Sequence, residues 1–312
     1  MARRFDVLCV GLQVIDLLVT GADRCVFDQE TTNVENIELL LGGDALNQAI
    51  TLSALGAKTG LMGAVGNDAL GDVLMNRLAA YPIEVLNRRI DAKTGISIVL
   101  CRTDGERHFV LQTGHNERFC YEHIDEQAVR DAGVVSIGSC MGMKAMDGAD
   151  TLRLLELASS AGATTAMDFK ITHGDYDMPR VYECIRTADY LLPSEGDAAK
   201  LTGEKHDPKR MVEGLRDLGA RNLILKLGDR GCYVAADGVE MQIPACASSC
   251  VDTTGAGDTF AAAFLYGKCR GWDVETCARF ANAAGAIAVE TRGANGAVRS
   301  EAQVRMRMEA GR

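Results

Sequence analysis

The chain has 312 residues, 47% of them hydrophobic and 24% charged, an ordinary globular balance with length for one large or two modest domains. A formal net charge of -10 argues against broad binding to nucleic acid or to an anionic membrane, although a local basic cluster can still hold a small anion. The 11 cysteines are scattered with no CxxC pair, and none of the five histidines stands beside a cysteine pair at zinc spacing, so free thiols in a reducing cytoplasm are expected rather than a disulfide framework or a zinc site.

Met1 to Asp6 run directly into a strand pattern, without a signal-like apolar region, and no apolar run is long enough to span a membrane. Residues 5–12 are a short apolar run closing on glycine, the pattern of a buried central strand. Asp16 follows at the carboxyl end of that strand, where open parallel sheets bind ligands, but an aspartate there is also a common turn or cap residue. Residues 31–41 read as an extended segment leading out of the main sheet. Gly42-Gly43-Asp44-Ala45-Leu46-Asn47 then opens a helix that runs to Leu55 and stops at Gly56. Its glycines allow close approach of a ligand to the backbone, and Asn47 offers both a donor and an acceptor. Residues 58–66 form the next strand, and Asn67-Asp68 cap a helix to about residue 80.

Residues 95–114 break the series. Alternating Ile96, Ile98 and Leu100, a turn at Thr103-Asp104-Gly105-Glu106 and a return strand over 108–112 predict a hairpin. With 31–41 it can build a small lid sheet of about four strands, apolar on both faces, suited to closing over a ligand or to pairing with a second subunit; a surface excursion without a role is the plain alternative. Beyond residue 125, strands at 134–138, 164–168, 190–192 and 222–226 alternate with helices at 150–161, 178–186, 194–201 and 209–218. A hairpin then turns at Asp237-Gly238, and helices over 256–270 and 273–290 close the chain. This order predicts an α/β fold with a mainly parallel sheet covered on both faces.

Asp252-Thr253-Thr254-Gly255-Ala256-Gly257-Asp258 runs into the apolar helix that begins near residue 256. A small-residue loop opening a helix leaves backbone N–H groups aimed one way at the positive helix end, a site for phosphate. Asp258 in the first turn is either a helix-dipole partner or a general base beside that anion. No G-x-x-x-x-G-K-[ST] occurs, and the first strand lacks the G-x-G-x-x-G of a dinucleotide fold. What remains is a phosphate-accepting half near the C-terminus and a polar, glycine-lined half near the N-terminus.

At residues 42–49, with Gly56 and Gly66, the chain resembles the N-terminal signature of the ribokinase-like (PfkB) carbohydrate kinases, and residues 252–265 are similar to their C-terminal signature. The resemblance spans essentially the whole chain. It implies a three-layer αβα sandwich forming a single kinase domain over residues 1–312, with a lid from about 13–41 and 92–118. It also implies ATP-dependent phosphorylation of a hydroxyl on a monosaccharide or sugar derivative. Carried over, Asp258 would be the base, and Gly255, Ala256 and Gly257 the anion hole. Asp16, Gly42, Gly43 and Asn47 would hold the sugar. On the lid, Arg107, His108, His115 and Asn116 either reach it or are solvated polar residues of a hairpin end. Lys226, Gly228 and Gly231 would line the nucleotide phosphates, with Asn282 near the adenine. Glu195 and Asp197 would hold Mg2+ through water, and Asp252 and Thr254 a monovalent cation, K+ in many members. A homodimer through the lid would follow, in the cytoplasm. The chain departs from the pattern in reading Ser194-Glu195-Gly196-Asp197 where Asn-x-x-Glu is common, Asp168-Phe169-Lys170 where Asp-x-Asn-x-Arg is common, and Asp44 where ribokinases proper tend to carry lysine. Lys170 is either a phosphate ligand or a solvated lysine. A nucleoside kinase of the same family and a binding protein that has lost catalysis are the alternative functions.

Overall fold

The computed structural model describes residues 3–23, 30–103, 107–171 and 176–311. Fifteen strands occur among them: β1 Phe5–Gly11, β2 Val14–Thr20, β3 Asn36–Gly42, β4 Thr59–Met62, β5 Ala64–Gly66, β6 Ile83–Val85, β7 Arg88–Ile90, β8 Ile96–Cys101, β9 Arg107–Gln112, β10 Ala132–Cys140, β11 Thr164–Phe169, β12 Tyr190–Leu191, β13 Asn222–Lys226, β14 Cys232–Ala236 and β15 Val239–Ile243. Nine build the main sheet in the order β15-β14-β13-β12-β11-β10-β1-β4-β6. It is parallel from β6 to β13 and ends in the antiparallel β13–β14–β15 meander.

The α-helices are α1 Asp44–Ala54, α2 Ala69–Leu78, α3 Glu126–Arg130, α4 Ala149–Ser160, α5 Met178–Thr187, α6 Glu195–Thr202, α7 Pro208–Asp217, α8 Ala256–Cys269, α9 Val274–Ala288 and α10 Glu301–Ala310. They form two layers because the central strands are apolar on both faces. In β1, Val7 and Cys9 join one core with Leu46, Ile50, Phe264 and Phe280 from α1, α8 and α9, while Leu8 and Val10 join a second core with Leu154, Leu155, Val181 and Leu215 from α4, α5 and α7. Period-two alternation in a strand and a buried stripe on each helix thus give the α/β/α sandwich.

A separate four-stranded sheet, β3-β2-β8-β9, stands beside the cleft. β2 is parallel to β8, and the other two pairings are antiparallel. Its root is clamped by buried polar groups. Asn116 Nδ2 donates to the Gln13 carbonyl at 2.9 Å, and His115 Nδ1 accepts the Gly95 N–H at 3.0 Å. These two buried side chains therefore join the segments that lead into β2 and β8 and out of β9, rather than reaching out as expected for a substrate contact.

Three elements differ from expectation. Asp16 lies within β2, a full lid strand, rather than in a turn. Residues 58–66 split at Gly63 into β4, in the main sheet, and β5, which pairs with β7 in a small sheet of its own. The chain closes with α10, beyond the expected last helix; only Val304 and Met308 of it are buried, too few to give a clear stripe. Of the anticipated turn, Asp104, Gly105 and Glu106 lie outside the described residues. The ten described cysteines are free thiols, and no described helix is long and apolar enough to cross a membrane.

Candidate active site

The carboxyl ends of β1, β10, β11 and β13 open on one cleft, and the N-termini of α1 and α8 point into it. Seven of the described α-helices are closed by an N-cap side chain: α2, α3, α5, α6, α7, α9 and α10. Helices α1, α4 and α8 have none, their N-caps being Gly43, Gly148 and Gly255, and of these α1 and α8 open on the cleft. Their first-turn N–H groups are thereby left for a ligand. Gly255 adopts the left-handed conformation (φ 72°), and a Cβ there would fall 2.0 Å from the carbonyl oxygen of Ala294. Gly42 lies directly against Asp16, where a Cβ would overlap the Asp16 carboxylate.

The two signature loops meet through side chains. Asn47 Nδ2 donates to Asp258 Oδ2 at 2.7 Å. Asn295 Nδ2 in turn donates to Asn47 Oδ1 at 2.9 Å and to the Leu41 carbonyl at 2.7 Å. Asn295 fixes which face of the Asn47 amide meets Asp258, a role the sequence reading did not assign it. Burial pushes the Asp258 carboxyl well above the usual carboxylate range, with the nearby charges of Asp44 and Asp168 adding to the effect against the Asn47 hydrogen bond and Lys226. Asp16 is pushed up to about 6, chiefly by burial, against a hydrogen bond from Ser97 on β8 and the charge of Lys170.

The basic groups answer these acids. Lys226, at the end of β13, donates to both Asp168 oxygens at 2.7 Å, and a Cβ on Gly257 would lie 3.5 Å from its Nζ. Lys226 therefore stands between Asp168 and the anion loop, within reach of an anion seated there. Lys170 is exposed to solvent, and the charge of Asp44, followed by those of Asp258, Asp197 and Asp168, raises its pKa. Asp44 itself accepts from Ser139 Oγ at 2.6 Å. Ser139 has positive φ (64°) at an irregularity in β10, a strained conformation of the kind found at functional clefts.

Other anticipated residues are committed elsewhere. Asn282 is buried and donates to the carbonyls of Ile243 and Pro244 at 3.2 and 3.0 Å, so its amide N–H groups hold the β15 hairpin. Gly228 and Gly231 bound the turn between β13 and β14, both with positive φ, and the space around Gly228 is open. Glu195 is paired with Arg230 at 2.5 Å. Asp197 accepts from Ser194 Oγ at 2.6 Å and from the Ile171 N–H at 3.2 Å. Among the described residues no three His, Cys, Asp or Glu cluster to hold a metal. Asp197 and Glu195 thus fit a divalent ion only through water. Arg107, expected on the substrate, instead donates to Asp252 Oδ1, to Thr254 Oγ1 and, at 2.8 Å, to Thr253 Oγ1. Asp252 and Thr254, expected to hold a monovalent cation, carry this guanidinium.

The arrangement can hold a phosphoryl group against Lys226 and the α8 N-terminus with a carboxylate of raised pKa beside it. The model of the pfkB family carbohydrate kinases matches residues 4–301. The chain is 30% identical over 263 residues to an ATP-dependent ribose-1-phosphate kinase of Halopiger xanaduensis, covering 84% of each chain. It is similar to the structure of Arabidopsis thaliana ribokinase complexed with ribose and ATP, at a TM-score of 0.82 and 26% identity over 99% of both chains. A putative ribokinase II from E. coli, in complex with ATP and Mg2+, shares the fold at a TM-score of 0.84 and 22% identity, covering 98% of this chain and 99% of its own. The chain belongs to the pfkB family of carbohydrate kinases.

Proposed function

We propose that the chain is an ATP-dependent sugar kinase that transfers the γ-phosphoryl group to a hydroxyl of a monosaccharide or sugar derivative, with Asp258 as the general base. The observation that carries this reading is the meeting of the α1 and α8 N-termini, neither capped by a side chain, through the Asn47–Asp258 hydrogen bond. The acceptor half then ends where the phosphoryl half begins. Asp258 takes the proton of the attacking hydroxyl. The N–H groups around Gly255, Ala256 and Gly257 hold the charge on the transferring oxygens, in a reaction where positioning and electrostatics do most of the work. Lys226 exchanges part of its pairing with Asp168 for phosphate oxygens, and Lys170 balances Asp44 beside them. Gly228 leaves room for the nucleotide along the turn after β13, while Gly231 lets that turn pack against the Ile243 carbonyl. Asp197 would hold Mg2+ through water, and the ion would supply further neutralisation of the phosphate oxygens. On this reading residues 1–312 form one kinase domain, with the four-stranded sheet as its lid.

Asp16, Gly42, Gly43 and Asn47 form the acceptor side. Asp16 and Asp44 face Lys170 there, which favours neutral polyhydroxylated acceptors over those bearing a carboxylate or phosphate. The test is a panel of pentoses, hexoses, keto acids and nucleosides in a coupled assay of ADP release. A neutral sugar is expected to give the highest kcat/KM. A nucleoside at the top would establish the nucleoside kinase, and no acceptor-dependent release with any class would overturn the kinase reading.

The lid also supports a second copy of this chain as partner. Leu111 and Ile37 are 58% and 61% exposed, and Phe109 and Val110 place apolar surface on both faces of the edge strand β9. Leu111→Glu is expected to turn a dimer into a monomer by light scattering, with the melting temperature of the body nearly unchanged. A wild-type monomer at every concentration would exclude the dimer.

A further inference from the structure

The loop that opens α8 has a charge to balance. Asp252 is only 7% exposed, and it lies six residues before Asp258, beside backbone that is to receive a phosphate. Its Oδ1 accepts the Thr254 N–H at 2.8 Å and its Oδ2 the Gly293 N–H at 2.9 Å. Burial disfavours its charge, yet these N–H donors, the Thr254 hydroxyl and Arg107 together hold its carboxyl below the ordinary range. It is therefore an anion, and an uncompensated anion there would repel phosphate.

The compensating charge comes from the lid. Arg107 begins β9, 145 residues away from Asp252 in sequence. Its guanidinium binds three successive residues of the loop: Asp252, Thr253 and Thr254. A guanidinium is permanently charged, and its donors form a fixed fork. A K+ ion would have to displace it from a carboxylate that is already neutralised.

We propose that Arg107 is a built-in replacement for the monovalent cation of this loop. It neutralises Asp252, holds Thr253 and Thr254 so that the α8 N–H groups face the phosphoryl site, and makes the enzyme independent of K+. Because Arg107 belongs to the lid, the loop is charge-balanced when the lid is seated, which couples lid position to the anion hole. Arg107 is on this account a positioning residue, and the account rests on the kinase reading. A cavity of about 350 Å³ bordered by Leu18, Glu35, Arg107, Asp252 and Arg292 opens onto the pair, so an ion can reach Asp252 once the side chain is shortened.

Wild type and Arg107→Ala are compared in choline, sodium and potassium chloride at equal ionic strength, by melting temperature and by turnover with the best acceptor of the panel. Wild type is expected to show no K+-specific change in either. The variant is expected to lose turnover on the order of 10- to 100-fold in choline, to regain it with K+ or guanidinium, and to acquire a K+-specific rise in melting temperature. Arg107→Lys keeps a tethered charge and retains turnover in choline. Stimulation of wild type by K+ would overturn the proposal, as would a folded Arg107→Ala that either matches wild type in choline or is rescued by neither cation. The melting arm needs no acceptor, so it decides the role of Arg107 even where the panel finds no substrate.

Discussion

Asp258→Asn removes phosphoryl transfer while Mg2+·ATP still binds. The amide keeps an oxygen to accept from Asn47 Nδ2, so the junction between α1 and α8 can survive. What it loses is the capacity to take a proton. Loss of a positioned base costs about 10²–10⁴-fold in kcat. Nucleotide affinity is expected to hold or to tighten slightly, because one charge leaves a cleft that also contains Asp44 and Asp168. A pH profile separates the base from a merely structural carboxylate. Burial and the neighbouring acids raise the Asp258 pKa, and a base acts only when ionised. The kcat/KM of the wild type therefore falls as the pH drops through that raised value, above the ordinary carboxylate value of about 4. The residual rate of Asp258→Asn should lack this limb. Near-normal turnover of the variant, or a wild-type profile flat down to pH 5, would remove Asp258 from the role of base.

The two signatures were legible because their chemistry is local. Gly42–Asn47 and Asp252–Asp258 each write a glycine-opened helix start into consecutive residues. The main sheet was legible for a similar reason, since strands apolar throughout alternate with amphipathic helices. What stayed hidden depends on distance in the chain. Asn295 lies in a loop without regular structure, and its partner Asn47 is 248 residues away. The pairing of Arg107 with Asp252 spans 145 residues, and a basic residue at a hairpin end carries no mark of its target. Strand β2 escaped because Val14–Thr20 shows no clean polar alternation, and Asp16 read as a ligand or turn residue just past the first strand. Asn282 illustrates the opposite error. The family resemblance placed it near the adenine, but a buried amide needs partners, and two carbonyls of the β15 hairpin supply them.

A pair of glycine substitutions distinguishes the shape of the anion loop from the space inside it. Gly255 has φ 72°, and an added Cβ would meet the Ala294 carbonyl oxygen at 2.0 Å and its carbon at 2.6 Å. Both obstacles are backbone, so relief requires one of the two segments to move. The left-handed conformation and the overlap together are expected to destabilise Gly255→Ala by about 2–4 kcal/mol. The movement would turn the first-turn N–H groups of α8 away from their common point, so kcat falls as well, on the order of 10²-fold or more. Gly257 is different. It lies inside α8, and the nearest atom to an added Cβ is Lys226 Nζ at 3.5 Å. Gly257→Ala therefore keeps or slightly raises the melting temperature, since alanine is favoured over glycine in a helix by about 1 kcal/mol. It lowers kcat by placing a methyl group between Lys226 and the phosphoryl site. Melting curves and turnover measured on both variants check this. Equal melting temperatures for the two would mean that the loop does not depend on the Gly255 conformation, and unchanged turnover in Gly257→Ala would place the phosphoryl group away from Lys226.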